Sequence, residues 1–164
     1  MRPDIKDGFD KAVAADAART TAQREVQERA RTERENFKAD WEHTREQVIF
    51  PAFEQIRDIL MPKGWTCTVR TDQPDDAAVL EIHKGEMRAV GSANLLPRIT
   101  FTPEMHGKHV VIWAVTTQQS GGEGDVPLRE VTEDFVQAKV LQFFQRLSGG
   151  LSQSTLGHLY LTFA

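Results

Sequence analysis

Two histidines carry the spacing that could bind a metal ion in this chain. His106 and His109 form an H-x-x-H pair, and Glu104 stands two residues before it. Histidines three residues apart on a helix can share a metal ion. Here, however, Pro103 and Gly107 predict a turn that leads into a strand, and a third ligand would have to come from elsewhere. We therefore expect no metal site at these histidines.

Cys67 is the single cysteine of the chain and could act as a nucleophile if a nearby base lowered its pKa. His83, on the following predicted strand, is the candidate for that base. Cys67 also alternates in phase with Trp65 and Val69, which suits a small buried hydrophobic side chain. We expect a core position for Cys67 and no thiol chemistry.

Short motifs for phosphate binding and hydrolysis are missing from the sequence. The stretch SGGEG at 120–124 lacks the lysine and the hydroxyl of a phosphate-binding loop, and G-x-G-x-x-G, G-x-S-x-G and H-E-x-x-H do not occur. One cysteine excludes an intramolecular disulfide and a cysteine-based zinc cage. We therefore predict no catalytic residue, no metal and no cofactor.

The first third of the chain predicts one long helix. Neither glycine nor proline occurs between residues 9 and 50, and good helix formers fill the interval. A helix over about 4–49 is the simplest interpretation. Pro51 lacks a backbone N–H, so the helix should kink or restart there. The sequence thus divides into a helical segment, 1–62, and a sheet domain, 63–164.

Two rows of apolar residues run along this helix with a period of eleven, which keeps both rows on one face. The first row is Ala15, Val26, Phe37, Val48 and Ile59, and the second is Ala30, Trp41 and Ala52. About 45 helical residues span about 68 Å, whereas a compact body of the remaining hundred residues is only about 33 Å across. We therefore predict a coiled-coil homodimer through this helix. The expected interface residues are Val26, Ala30, Phe37, Trp41 and Val48.

The same helix carries five arginines between Arg19 and Arg34, a density that nucleic-acid-binding helices also show. Glutamates lie among them, and Glu25 precedes Arg29 by the four residues that favour an ion pair. The net charge of the chain is −4, and the segment has no aromatic side chains for base stacking. A solvated face with internal ion pairs is the better interpretation, and nucleic-acid binding is the weakest of the functions considered.

After Gly64 the period of the apolar residues changes from 3.6 to 2, which indicates strands. Four strands are predicted, over 65–71, 78–84, 98–102 and 108–117. The glycine-rich segment at 120–125 predicts a flexible loop, and the residues that follow could add a short edge segment.

The last part of the chain predicts a helix and a strand-like tail. Thr132 is a plausible N-cap, and an apolar face with helical spacing follows it. That face consists of Val136, Val140, Phe143 and Leu147. Gly149 and Gly150 should end the helix. The segment 151–164 has no charged residue and alternates apolar positions near its end, so it should add a strand to a sheet edge in its own chain or in a partner.

These patterns together predict an α+β fold. It comprises a long N-terminal helix kinked near Pro51, an antiparallel sheet of about four to five strands, a C-terminal helix packed on the sheet and a terminal strand-like tail. We predict a non-catalytic protein–protein interaction module that binds a second copy of itself and another protein, with no membrane partner. The alternative is a small enzyme with a site near Cys67 and His83, or near His106 and His109. The absence of an apolar leader predicts a cytoplasmic location.

Overall fold

A computed structural model describes residues 2–73 and 75–159, with side chains as far as Gly149. It confirms the α+β fold, with a long N-terminal helix, a five-stranded antiparallel sheet and a C-terminal helix. The elements in chain order are α1 (Pro3–Thr44), a π-helical turn (Arg45–Ile49), α2 (Phe50–Leu60), a 3₁₀ turn (Met61–Lys63), β1 (Thr66–Arg70), β2 (Ala78–His83), β3 (Arg98–Glu104), β4 (His109–Val115), β5 (Ser120–Pro127), a 3₁₀ turn (Leu128–Glu130) and α3 (Glu133–Leu159).

The predicted interruption near Pro51 is a single π-helical turn just before it. The backbone N–H of Phe50 bonds to the carbonyl of Arg45, five residues back. Pro51 then occupies the first turn of α2, where a missing N–H donor is tolerated. The wider turn therefore lets the helical path continue past a residue that would otherwise break it.

The chain has two compact units, Met1–Lys38 and Ala39–Ala164. The boundary falls inside α1, whereas the sequence pattern places it at 62/63. Its position has a physical cause, because the helical residues after Lys38 belong to the core of the sheet unit. Trp41, Ile49 and Phe53 are all fully buried there.

The five strands form one sheet in chain order, β1-β2-β3-β4-β5, and every neighbouring pair is antiparallel. Side chains alternate between the two faces of such a sheet. The face that carries Cys67, Leu80 and Ile99 supplies the core, together with α2 and α3. The largest fully buried side chains of this core are Trp41, Phe53, Phe101, Phe143, Ile49, Leu80, Ile82, Ile99, Ile112 and Leu147.

The glycine-rich segment at 120–125 is part of edge strand β5, so the prediction of a flexible loop there is wrong. Ile112 pairs with Gly124 and Trp113 with Gly122, which leaves Glu123 as an extra residue in a β-bulge. Gly124 has a φ of +106°, a conformation that favours glycine. Pairing with β4 uses backbone groups, so the strand forms although the sequence has little β propensity.

Helix α3 begins where the sequence predicts, because the Thr132 hydroxyl accepts a hydrogen bond from the N–H of Phe135 at 3.2 Å. It continues through Gly149 and Gly150 to Leu159, so the predicted stop is wrong. Gly149 has no positive φ, and a glycine inside a helix costs only about 1 kcal/mol relative to alanine. The segment 151–164 was predicted to form a terminal strand, but its residues as far as 159 are helical. Residues 160–164 lie outside the described residues.

Among the residues that the structure describes, no helix has both the length and the apolar character needed to cross a membrane.

Candidate functional site

Cys67 and His83 lie on opposite faces of the sheet. Cys67 is paired with Ile82 and Thr66 with His83, so the thiol and the imidazole point in opposite directions. Cys67 is only 8% exposed, and burial raises the pKa of its thiol to about 11, against a smaller lowering by the charge of Arg57. The thiol is therefore protonated at neutral pH, and the structure does not bring the two residues of the proposed dyad together.

His106 and His109 belong to the turn between β3 and β4, and Glu104 organises that turn. The carboxylate of Glu104 accepts hydrogen bonds from the N–H groups of Gly107 and His106, and these bonds lower its pKa. Nδ1 of His109 lies 3.9 Å from Glu104, and Nε2 lies 3.8 Å from Asp125. Within the described residues, no group of three or more His, Cys, Asp or Glu side chains could hold a metal ion.

Glu81 is a buried carboxylate on the opposite face of β2 from the core. It accepts a hydrogen bond from Nε of Arg70 on β1 at 3.1 Å. A buried polar group needs such a hydrogen-bond partner, because burying it unpaired costs free energy. The Arg70–Glu81 pair therefore links β1 to β2, and this structural role explains why a carboxylate is buried there.

The residues predicted for the α1 interface fall into different environments. Val26 and Ala30 are exposed, and Val48 is half-buried. Phe37 and Trp41 are buried within the single chain. The interface itself stays a prediction, and the exposed positions are those still open to a partner.

Trp41 anchors the loop between β1 and β2. Its indole Nε1 donates a hydrogen bond to the carbonyl of Asp76 at 3.0 Å, and Arg45 Nη1 donates to the same oxygen at 3.1 Å. The ring itself is fully buried in the core of the sheet unit. The period of eleven in the sequence cannot distinguish a helix residue that is buried within its own chain, such as Trp41, from one that is buried at a dimer interface.

The first 36 residues offer a second apolar stripe that the period of eleven does not include. Every described residue from 2 to 36 is exposed. Ile5, Phe9 and Val13 recur every four residues, so they lie along one side of α1, and they are 45%, 65% and 68% exposed. Their spacing of four is the sequence signal that would have found them. We call these three residues the tip stripe.

A small apolar cleft lies between α2 and α3. Its volume is about 150 Å³, and both Ile59 and Leu141 on its rim are exposed. Gln137 donates a hydrogen bond to Gln55 at 2.8 Å beside it. We call this the apolar cleft, and its lining residues are Ile56, Ile59, Leu60, Gln137, Val140, Leu141 and Phe144.

A larger groove follows β1 along the side that faces α2. Its volume is about 520 Å³, and its walls combine apolar and charged side chains. We call it the edge groove. Its lining residues are Glu46, Phe50, Pro51, Glu54, Arg57, Cys67, Thr68, Val69 and Thr71.

The described side chains that could do chemistry are thus dispersed, whereas five of the exposed large apolar side chains lie on the tip stripe or on the rim of the apolar cleft. Cys67 and His83 are separated by the sheet, and the His109 neighbourhood serves a turn. The tip stripe, the apolar cleft and the edge groove are the surfaces that a partner could use. No protein-family model, curated protein or solved structure matches this chain.

Proposed function

We propose that this protein is a non-catalytic protein-binding module, and that α1 is its main contact surface. The observation that supports this proposal is the exposure of every described residue from 2 to 36, with Ile5, Phe9 and Val13 aligned on one side. Helices in proteins gain most of their stability from packing an apolar face. A partner that covers the tip stripe would supply that packing to α1.

The first partner that we propose is a second copy of the chain. Helix α1 has 42 residues and spans about 63 Å at 1.5 Å per residue. Two such helices lying side by side could cover the tip stripe together with Val26 and Ala30, because Ile5 and Phe9 precede these two residues by 21 positions, which is three heptads of a coiled coil. A second protein could then bind the dimer. The cytoplasmic location stays a prediction, which the single free cysteine favours.

Light scattering of the full chain over a range of concentrations tests this proposal. We expect twice the monomer mass at tens of micromolar. Replacing the tip stripe by Ile5→Gln, Phe9→Gln and Val13→Gln together should return the protein to a monomer, because glutamine keeps the helix propensity and removes the apolar surface.

The matched control replaces the residue that directly follows each residue of the tip stripe, with Lys6→Gln, Asp10→Gln and Ala14→Gln together. This variant has the same net charge as the parent chain and should remain dimeric. Circular dichroism checks that both triple variants keep their helix content. A parent chain that is monomeric throughout, or two triple variants that dissociate equally, would contradict the proposed role of the tip stripe.

A further inference from the structure

The outer edge of β1 presents free backbone groups in the pattern of an unpaired strand. The N–H of Ile82 bonds to the carbonyl of Pro97 at 3.0 Å, so Ile82 directs its backbone bonds away from β1. Cys67 faces Ile82 in the register, and its own N–H and C=O therefore point outward. The bonding direction alternates along a strand, so Val69 points the same way. Among the described residues, no strand pairs with this edge.

Strand β1 lacks the features that usually prevent another strand from adding to a free edge. Its pairing with β2 is regular over all five residues, from Thr66↔His83 to Arg70↔Val79. It contains no proline and no glycine. Proteins commonly protect an exposed edge with a bulge, a proline or an inward-pointing charge. The outward-pointing backbone groups of Cys67 and Val69 could therefore hydrogen-bond to a segment of extended chain.

The edge groove lies where the side chains of an added strand would point. Helix α2 leads into β1 through the tight turn at 61–64, and residues of α2 form the far wall of the groove. Alternate side chains of a strand laid along β1 would enter the space between β1 and α2. A volume of about 520 Å³ admits several side chains.

The charges on the α2 wall select the kind of side chain that fits. Glu54 is exposed and has no ion-pair partner among the described residues. Glu46, in the π-helical turn about two turns before it, lines the same groove, and its carboxylate lies 3.2 Å from Nη2 of Arg45. The one cation of the wall, Arg57, is paired with Asp58 at 3.2 Å. The wall thus carries an excess of negative charge, centred on Glu54.

We propose that the edge groove binds an extended peptide segment of a partner protein by strand addition to β1. The segment hydrogen-bonds to the backbone of Cys67 and Val69 and places a lysine or arginine side chain against Glu54. Main-chain bonds supply affinity, and the basic side chain supplies selectivity. This site is separate from α1, so it does not depend on the function proposed above.

A display library of nine-residue peptides, selected on the full-length protein, tests the proposal. We expect enriched sequences with alternating apolar residues and one recurrent lysine or arginine. A synthetic peptide with the enriched sequence should then protect the amide protons of Cys67 and Val69 from solvent exchange, as measured by NMR. Enrichment without a basic residue, or protection elsewhere and not at these amides, would overturn the proposal.

Two variants separate the charge from the backbone bonds. Glu54→Lys should weaken binding of the enriched peptide by at least tenfold, whereas Glu86→Lys makes the same charge change in the exposed loop after β2 and should leave binding unchanged. Val69→Pro removes one outward-facing N–H while the β1–β2 bonds remain, so it should also weaken binding at least tenfold. If Val69→Pro does not fold, the exchange measurement on the parent chain decides the backbone part. Equal binding by parent, Glu54→Lys and a folded Val69→Pro would overturn the proposal.

Discussion

The two edge strands of the sheet, β1 and β5, differ in the features that protect their outer edges from an added strand. β5 carries a bulge at Glu123, a glycine with positive φ at Gly124 and a terminal proline, Pro127. Side chains of α3 hold the bulge in place. Nη1 of Arg146 lies 2.7 Å from the carboxylate of Glu123, and Nζ of Lys139 lies 3.3 Å from its carbonyl. β5 therefore has two recognised obstacles to strand addition, the bulge that contains Gly124 and the terminal proline.

β1 has neither of these obstacles. Its register with β2 is regular, and the edge groove lies beside it. Its position is set from the other side, by the Arg70–Glu81 pair and by the anchored loop at Asp76. The comparison shows that edge protection in this sheet is local and unequal. One edge carries a bulge and a proline, whereas the other keeps the regular register that strand addition requires.

The largest effect that we expect comes from the residue that anchors the β1 side. Trp41→Ala removes a fully buried ring and the hydrogen bond to Asp76, so it should lower the free energy of unfolding by about 3–5 kcal/mol. Urea unfolding measures this loss, and hydrogen exchange should show that β1 loses protection before β5 does. Val90→Ala, at an exposed position outside α1, should stay within about 0.5 kcal/mol of the parent. Equal loss of protection in both edge strands would contradict the separate anchoring of β1.

A substitution in the β5 bulge should have the next largest effect. Gly124→Ala places a Cβ on a residue with a φ of +106°, which should cost about 1–3 kcal/mol in urea unfolding. Gly121→Ala is the matched control, because Gly121 has no positive φ and a Cβ there meets no atom within 4 Å. If both variants are equally stable, the bulge does not depend on the backbone conformation of Gly124.

The link between the bulge and α3 should contribute less. Glu123→Gln weakens the pair with Arg146, which is partly exposed, so the expected loss is about 0.5–1 kcal/mol. Glu35→Gln removes the fully solvated pair with Arg31 on α1 and should leave the urea midpoint unchanged. A loss for Glu35→Gln as large as that for Glu123→Gln would show that the α3 contacts do not specifically stabilise the β5 edge.

Periodicity predicted those elements whose apolar face is buried by neighbours in the core. The face of α3 that contains Val136 and Phe143 is fully buried, and the alternation around Ile99 marks a strand with one face in the core. The Thr132 cap was also predictable, because it depends on residues three apart in sequence. In each case the contact that determines the element either joins residues close in sequence or is shared by all residues of one apolar face.

Features that depend on distant residues were not predictable in this way. β5 forms because β4 lies beside it, and its glycines alone indicate a loop. The period of eleven places Trp41 and Val26 on one face of a helix, yet Trp41 contacts the core and Val26 is exposed. Predicting the edge groove would require knowing that β1 is an edge strand and that α2 lies alongside it. The types and spacing of the residues that line the groove indicate neither fact.

The effect that should be absent at neutral pH comes from the thiol at the β1 edge, and it appears only at high pH. Burial raises the pKa of Cys67 to about 11 in the folded chain, whereas a cysteine in an unfolded chain has a pKa of about 8.5. Below the lower value both states keep the proton, and the stabilising contribution is complete. Between the two values only the unfolded state loses the proton, so the free energy of unfolding falls as the pH rises toward 11.

Urea unfolding of the parent chain and of Cys67→Ala at pH 7.5 and pH 10 isolates this contribution. The parent should lose more stability than the variant between the two pH values, because the variant has no thiol to titrate. Alkylation at neutral pH should also be slow in the folded chain, since the reactive thiolate is scarce and the side chain is buried. Equal pH dependence of the two proteins, together with rapid alkylation, would mean that the β1 edge opens to solvent in the native state. β1 would then be a frayed strand, and the contrast with β5 would be one of stability and not of edge protection.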